Sequence, residues 1–160
     1  MDEPLELIVE TDDAPDENTR RDIMNAAQLV LERYGIHHAL LSITLVDHNH
    51  IRELNCNYRG IDAATDILSF PQYDTLEEII DDVLSGAPVH LGDLVLCLEE
   101  VRENCRVHFF GFDEELPRLI IHGMLHIIGK THQSYDTSDP MLVEQEQLLA
   151  EYLDTRSTEN

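Results

Sequence analysis

The sequence predicts an α+β domain in which a small mixed β-sheet of about four strands is covered by helices, with a metal centre on a C-terminal helix. Three observations carry that prediction. Short alternating apolar runs suit strands, longer apolar stripes at helical spacing fall between and after them, and three histidines recur as His122, His126 and His132. At 160 residues the chain suits one domain spanning 1–160, because that length buries roughly 70% of the unfolded surface and needs no disulfides.

Leu5, Leu7 and Val9 alternate with Glu6, Ile8 and Glu10 and predict a first strand. Asp12 to Asp16, with Pro15, form a capping segment, and Ile23, Ala26, Ala27, Val30, Leu31 and Tyr34 keep helical spacing until Gly35. Leu41 to Val46 alternates again as a second strand. Asp47 then caps a short helix carrying Ile51, Leu54 and Tyr58, which Arg59-Gly60 ends. Ile67 to Phe70, closed by Pro71, and Leu91 to Cys97 predict two further strands. Between them, Asp74 to Pro88 places Glu77, Glu78, Asp81 and Asp82 around Ile79, Ile80 and Val83, which predicts a solvated loop or a β-excursion over one sheet edge.

Three helices follow. Leu98, Val101, Cys105 and Phe109 give the first an apolar stripe, with Glu99 and Arg102 pairing on its wet side. Asp113 is expected to cap the second, with Pro117 in its first turn and Leu116, Leu119, Ile120 and Ile127 as its buried face. Asp139-Pro140 is an N-cap and first-turn pair for the third, which buries Leu142, Leu148, Leu149 and Tyr152. The ends, about 1–3 and 154–160, are expected to be flexible.

Ten Lys and Arg stand against 33 Asp and Glu, a net charge of −23, which excludes a protein that grips phosphate backbones through a broad basic face. Lys130 is the single lysine; such a surface suits a high-salt cytoplasm or records lineage drift. The acidic start lacks a signal-peptide pattern, and no run approaches the ~20 apolar residues of a membrane span. Cys56, Cys97 and Cys105 contain no CxxC pair and read as reduced thiols, consistent with a cytoplasmic location. There is no P-loop, GxGxxG or GxSxG, so no nucleotide cofactor and no serine-hydrolase chemistry are expected.

His122-Gly-Met-Leu-His126-Ile-Ile-Gly129-Lys-Thr-His132 has the spacing of a metal site. On a helix His122 and His126 lie one turn apart on one face, Gly129 turns the chain back, and His132 supplies a third nitrogen. With histidine at 9 of 160 positions, a chance match has a probability of about one in a thousand. Three neutral nitrogens suit one Zn²⁺ and leave a fourth position to water, the arrangement of a catalytic site. The spacing equals that of the zinc peptidases' HExxHxxGxxH, but Gly123 stands where they carry the glutamate base. Arg59, at a helix end beside Gly60, can offer a bidentate fork to phosphate, or else sit in a surface salt bridge.

These segments resemble the YbeY family of single-strand-specific endoribonucleases, the bacterial rRNA maturation factors. The family's LNxxYRGxDxPTDVLSFP is similar to Leu54 to Pro71, its GDIxIS to Gly92 to Cys97, its HGxLHLxGYDH to His122 to His132, and a further Met-to-Gln-Glu segment to Met141 through Gln145-Glu146. The resemblance runs from about residue 54 to 150, in matching order. It implies that His122, His126 and His132 bind zinc and that Arg59 is the catalytically important arginine. Asn55, Ser69 and Asp93 fall in family motifs and are implied to shape the cleft or support the ligands. Three departures stand out: Ala64 replaces a proline, Cys97 a serine, and Lys130-Thr131 a Tyr-Asp pair, so that a hydroxyl such as that of Thr131, or another acid, must do any orienting that the missing Asp performs.

The resemblance thus implies a zinc-dependent endoribonuclease that cuts single-stranded RNA in small-subunit rRNA 3′ end maturation and ribosome quality control, meeting the ribosome or ribosomal proteins. A metallopeptidase and a non-catalytic, zinc-stabilised ribosome-assembly factor are the rival readings. The global acidity predicts weak affinity for free RNA, with zinc and Arg59 reversing the sign locally.

Overall fold

The computed structural model describes residues 5–158. Four strands, β1 (Leu5–Glu10), β2 (Ala39–Val46), β3 (Ile67–Pro71) and β4 (Val89–Leu96), form one mixed sheet in the order β1-β2-β4-β3. β1, β2 and β4 run parallel and β3 pairs antiparallel with β4. Parallel neighbours require a crossover. Helix α1 (Glu17–Arg33) supplies it between β1 and β2. Helix α2 (His48–Arg59), β3 and α3 (Leu76–Ser85) fill the connection from β2 to β4. Then come α4 (Leu98–His108), α5 (Phe112–Ile127) and α6 (Pro140–Thr158).

Strand alternation divides the apolar residues between two faces. Ile43, Leu45, Leu94 and Leu96 join the main core with Ile23, Val30, Ile120, Met124 and Leu148 from α1, α5 and α6. Their neighbours Val46, Val95 and Cys97 point the other way and meet Ile51 and Leu68 beneath α2. α5 is therefore held against the sheet on one face, and α2 covers the other.

Side-chain caps start the helices as the sequence requires. Asp16 Oδ1 accepts from the Thr19 N–H at 2.7 Å, Asp47 Oδ1 from His50 at 2.8 Å, and Asp139 Oδ1 from Met141 at 3.0 Å.

Several local expectations are corrected. The segment after β3 is α3, a helix, because Leu76, Ile79, Ile80 and Val83 keep helical spacing and Thr75 Oγ1 caps Glu78 at 3.2 Å; the acidic side chains occupy its outer face. Phe109 is not part of the α4 stripe: it ends the helix at φ 60° and is 95% exposed. Arg102 pairs with Asp13 at 2.6 Å, not with Glu99. α5 starts at Gly111 without a side-chain cap, so Asp113 is a first-turn acid and Pro117 sits one turn further in. The Asp113 carbonyl, which loses its helical donor to Pro117, accepts instead from Arg156 Nη1 at 2.8 Å. Finally, α6 continues as helix to Thr158, covering 154–158 of the end expected to be flexible; residues 1–3 and 159–160 lie outside the described residues.

Candidate metal centre

α5 packs against β3 and β4 with Gly123 at the contact. A Cβ there would lie 2.8 Å from Ile67 Cδ1 and 3.1 Å from Leu94 Cδ2, so any larger residue would have to displace those side-chain ends between the helix and β3–β4. The flanking His122 turns out of that contact, with His126 one turn beyond. The helix then stops at Ile128, where Gly129 takes φ +97°. Gly129 N–H donates to the His126 carbonyl at 3.0 Å and Lys130 N–H to Leu125 at 2.9 Å, satisfying two terminal carbonyls and sending the chain back across the helix end. That reversal delivers His132.

The three rings converge. One nitrogen from each lies within 4.8 Å of the others, and the ring centroids are 4.6, 5.3 and 5.3 Å apart. Each Nδ1 faces an oxygen: His122 meets Gln145 Oε1 at 2.6 Å, His126 the Lys130 carbonyl at 3.0 Å, and His132 the Ser134 carbonyl at 3.2 Å. Gln145 donates its amide to Glu146 Oε2 at 3.1 Å, which fixes its oxygen toward His122. Oxygen acceptors assign the proton of each ring to Nδ1 and leave Nε2 as a lone pair. The Nε2 atoms of His122 and His126 are 3.1 Å apart, two lone pairs facing one another, which calls for a shared cation. Burial lowers the pKa of both rings, and for His126 the neighbouring His122 lowers it further, so a proton is a poor choice of cation. The triad therefore fits a metal ion, which its nitrogens could hold while α6 and two backbone carbonyls brace the rings.

The triad opens into a cleft of about 1430 Å³. Arg59 lines it from the last turn of α2; it is exposed and, among the described residues, has no hydrogen-bond or ion-pair partner. The surface salt bridge that was its alternative is absent there. Arg52, about two turns earlier on the same helix, does pair, with Asp62 at 2.8 Å.

A family model for endoribonuclease YbeY matches residues 7–153. The chain belongs to the YbeY family. Proteins named endoribonuclease YbeY from Bacillus subtilis and Symbiobacterium thermophilum are 32% and 36% identical, over 91% and 89% of this chain and 93% and 90% of theirs. The Treponema pallidum protein of that name is 41% identical over 77% of this chain and 74% of its own. A solution structure from Thermotoga maritima covers 96% of this chain and 93% of its own, with a TM-score of 0.61 and 25% identity.

The YbeY motifs are distributed unevenly around the cleft. Ser69 lines it from β3 and donates to the Gly123 carbonyl at 3.5 Å, tying that strand to the metal helix. Thr131 lines it too, yet no ring nitrogen is turned toward it: the bracing comes from Gln145 and the carbonyls of Lys130 and Ser134, so neither a hydroxyl nor an acid replaces the missing YbeY aspartate. Asn55 is buried away from the opening and holds the following loop through a 2.8 Å bond to the Ala63 carbonyl. Asp93 is exposed on β4 and does not line the cleft. Its neighbour Gly92 explains that motif, since a Cβ there would fall 2.1 Å from the Phe70 carbonyl oxygen. Cys97 is buried and its thiol pKa is raised by burial, an inert core sulfur. Lys130 swings its Nζ over the Tyr34 ring at 5.3 Å.

Gln145 stands in a segment that resembles the family, but the sequence assigned it no role at the site. Its signal was a polar side chain inside the apolar stripe Met141, Leu148, Leu149 and Tyr152 of α6.

Proposed function

We propose that this chain is a zinc-dependent endoribonuclease that cuts single-stranded RNA, acting in small-subunit rRNA 3′ end maturation and ribosome quality control in the cytoplasm, in contact with the ribosome or its proteins. Membership of a family whose relatives are named endoribonucleases supports the reaction class. The observation that carries the reading is the pairing, in one cleft, of a braced histidine triad with an arginine that nothing else claims.

His122, His126 and His132 would hold the ion through Nε2. A zinc ion there supplies Lewis acidity toward a phosphate oxygen or a water. Arg59 supplies the fork that receives the phosphate and offsets charge gathering on its oxygens as the bond breaks. Gln145, Lys130 and Ser134 keep the imidazoles oriented, so the ligands need not reorganise during the reaction. The peptidase reading lacks its base: the residue is Gly123, and a Cβ there would face Ile67 and Leu94 of the sheet.

The test is to incubate metal-loaded protein with single-stranded RNA, duplex RNA and casein, beside Arg59→Glu and His126→Ala. The proposal expects cleavage of single-stranded RNA alone, lost in both variants. Cleavage of casein without RNA contradicts it. RNA cleavage that survives in His126→Ala also contradicts it. A folded, zinc-loaded protein inert toward all three would favour a structural zinc in an assembly factor.

A further inference from the structure

The cleft is short of positive charge for a nucleic-acid site. Three Lys or Arg residues line it, and two are committed elsewhere: Arg118 to Glu146 at 3.0 Å and Glu115 at 2.8 Å, and Lys130 to the Tyr34 ring. Only Arg59 faces it unpaired, while Asp66, Asp74, Glu115 and Glu146 line the same walls. In a chain of net charge −23, phosphate neutralisation by Arg59 alone gives a strand little hold here.

Exposed aromatic surface fills that gap. Tyr58 and Tyr135 both line the cleft and are 69% and 86% exposed. Tyr58 precedes Arg59 on the last turn of α2, its ring edge-on to Phe70 at 5.1 Å. Tyr135 lies in the loop after the triad, its ring 4.8 Å from that of His132. One uncovered phenol thus stands beside the unpaired guanidinium and the other beside the metal-ligating nitrogens. Neither ring is buried in the core, so the fold does not account for their size.

We propose that Tyr58 and Tyr135 are stacking platforms for the unpaired bases that flank the phosphate held at Arg59, an assignment that rests on the RNA-cleaving reading above. Base–aromatic stacking tolerates any sequence, because every base presents a π-face, and it works where charge is scarce. It also creates the single-strand preference: a base inside a duplex is already stacked on its neighbours and cannot lie on a tyrosine without being pulled out. The tyrosines are positioning residues; they touch bases, not the reacting phosphate.

The experiment measures anisotropy of a short labelled oligouridylate, and of an abasic ribose-phosphate strand of equal length, against wild type and the Ala and Phe variants of Tyr58 and Tyr135. KM and kcat for the oligouridylate are measured in parallel, with urea midpoints to confirm folding. Each Ala variant is expected to raise Kd and KM about five- to a hundredfold with kcat nearly unchanged, and each Phe variant to stay near wild type. On the abasic strand wild type and Ala variants should bind equally weakly. Ala variants that keep wild-type Kd and KM overturn the proposal. So do Phe variants that fall with the Ala ones, or a wild type that binds the intact strand no better than the abasic one. Tyrosine-dependent binding without cleavage would keep the platforms and contradict the nuclease reading instead.

Discussion

The two walls of the cleft are built on opposite principles. On the α5 side, His122 and His126 are half-buried, every Nδ1 has a partner, and Gly123 between them lies against Ile67 and Leu94 where a Cβ would crowd both. On the α2 side, Arg59 is exposed and, among the described residues, its head has no hydrogen-bond or ion-pair partner. The metal wall obtains geometry by burial, which discourages protons and requires support from α6. The arginine wall keeps a charge hydrated until a phosphate arrives. Damage to the first should change affinity for metal, and in places stability; damage to the second should change catalysis alone.

The sharpest way to break that comparison is His126→Ala. It removes one ligand of three and should lower bound zinc to a trace and RNA cleavage by more than about a hundredfold, measured by metal analysis and a single-stranded RNA assay. Arg59→Ala should cost about a hundredfold in kcat for the same RNA, while zinc content and the urea midpoint stay at wild type. A shifted midpoint would mean that Arg59 is structural after all.

Gln145→Leu tests the bracing. It keeps the volume in α6 but leaves His122 Nδ1 without an acceptor, and zinc affinity should fall about ten- to a hundredfold in a chelator competition, with the fold intact. Unchanged affinity would show that α6 contributes packing only.

The smallest effect is the pH dependence of the metal-free protein. His122 and His126 titrate below the ordinary imidazole value when folded, so in that window the unfolded chain binds more protons. Their contribution to stability is present above about pH 6.5 and is lost as the pH falls through the folded values. The urea midpoint of wild type relative to His122→Asn should therefore decline on acidification. A flat difference would refute the burial argument.

The sequence brought out the histidine triad plainly because its information is local: a one-turn spacing, a helix stop at Gly129 and one more histidine. For Arg59 the helix end beside Gly60 left a phosphate fork and a salt bridge both open, since nothing in residue type tells an unpaired arginine from Arg52, which is paired. Gln145 lies 23 positions from the ring it holds, and no local pattern reports a contact at that separation. α3 is a different case. Thr75, the apolar spacing and Gly86 all marked a helix, but four acids in six residues suggested a solvated loop, and charge density outweighed periodicity. The Asp113 and Pro117 expectations failed because α5 starts at Gly111, and an internal Pro117 is tolerated where Arg156, far away in sequence, supplies the hydrogen bond the Asp113 carbonyl loses.

The central claim is that metal and arginine act together on RNA. Its most direct measurement is a zinc titration of chelator-stripped protein, following cleavage of single-stranded RNA by wild type and Arg59→Ala. The account predicts that wild-type activity rises to a plateau at about one zinc per chain, while Arg59→Ala takes up the same zinc and stays nearly inactive. Full cleavage by the stripped protein, or equal activity in the two proteins at saturation, would contradict it.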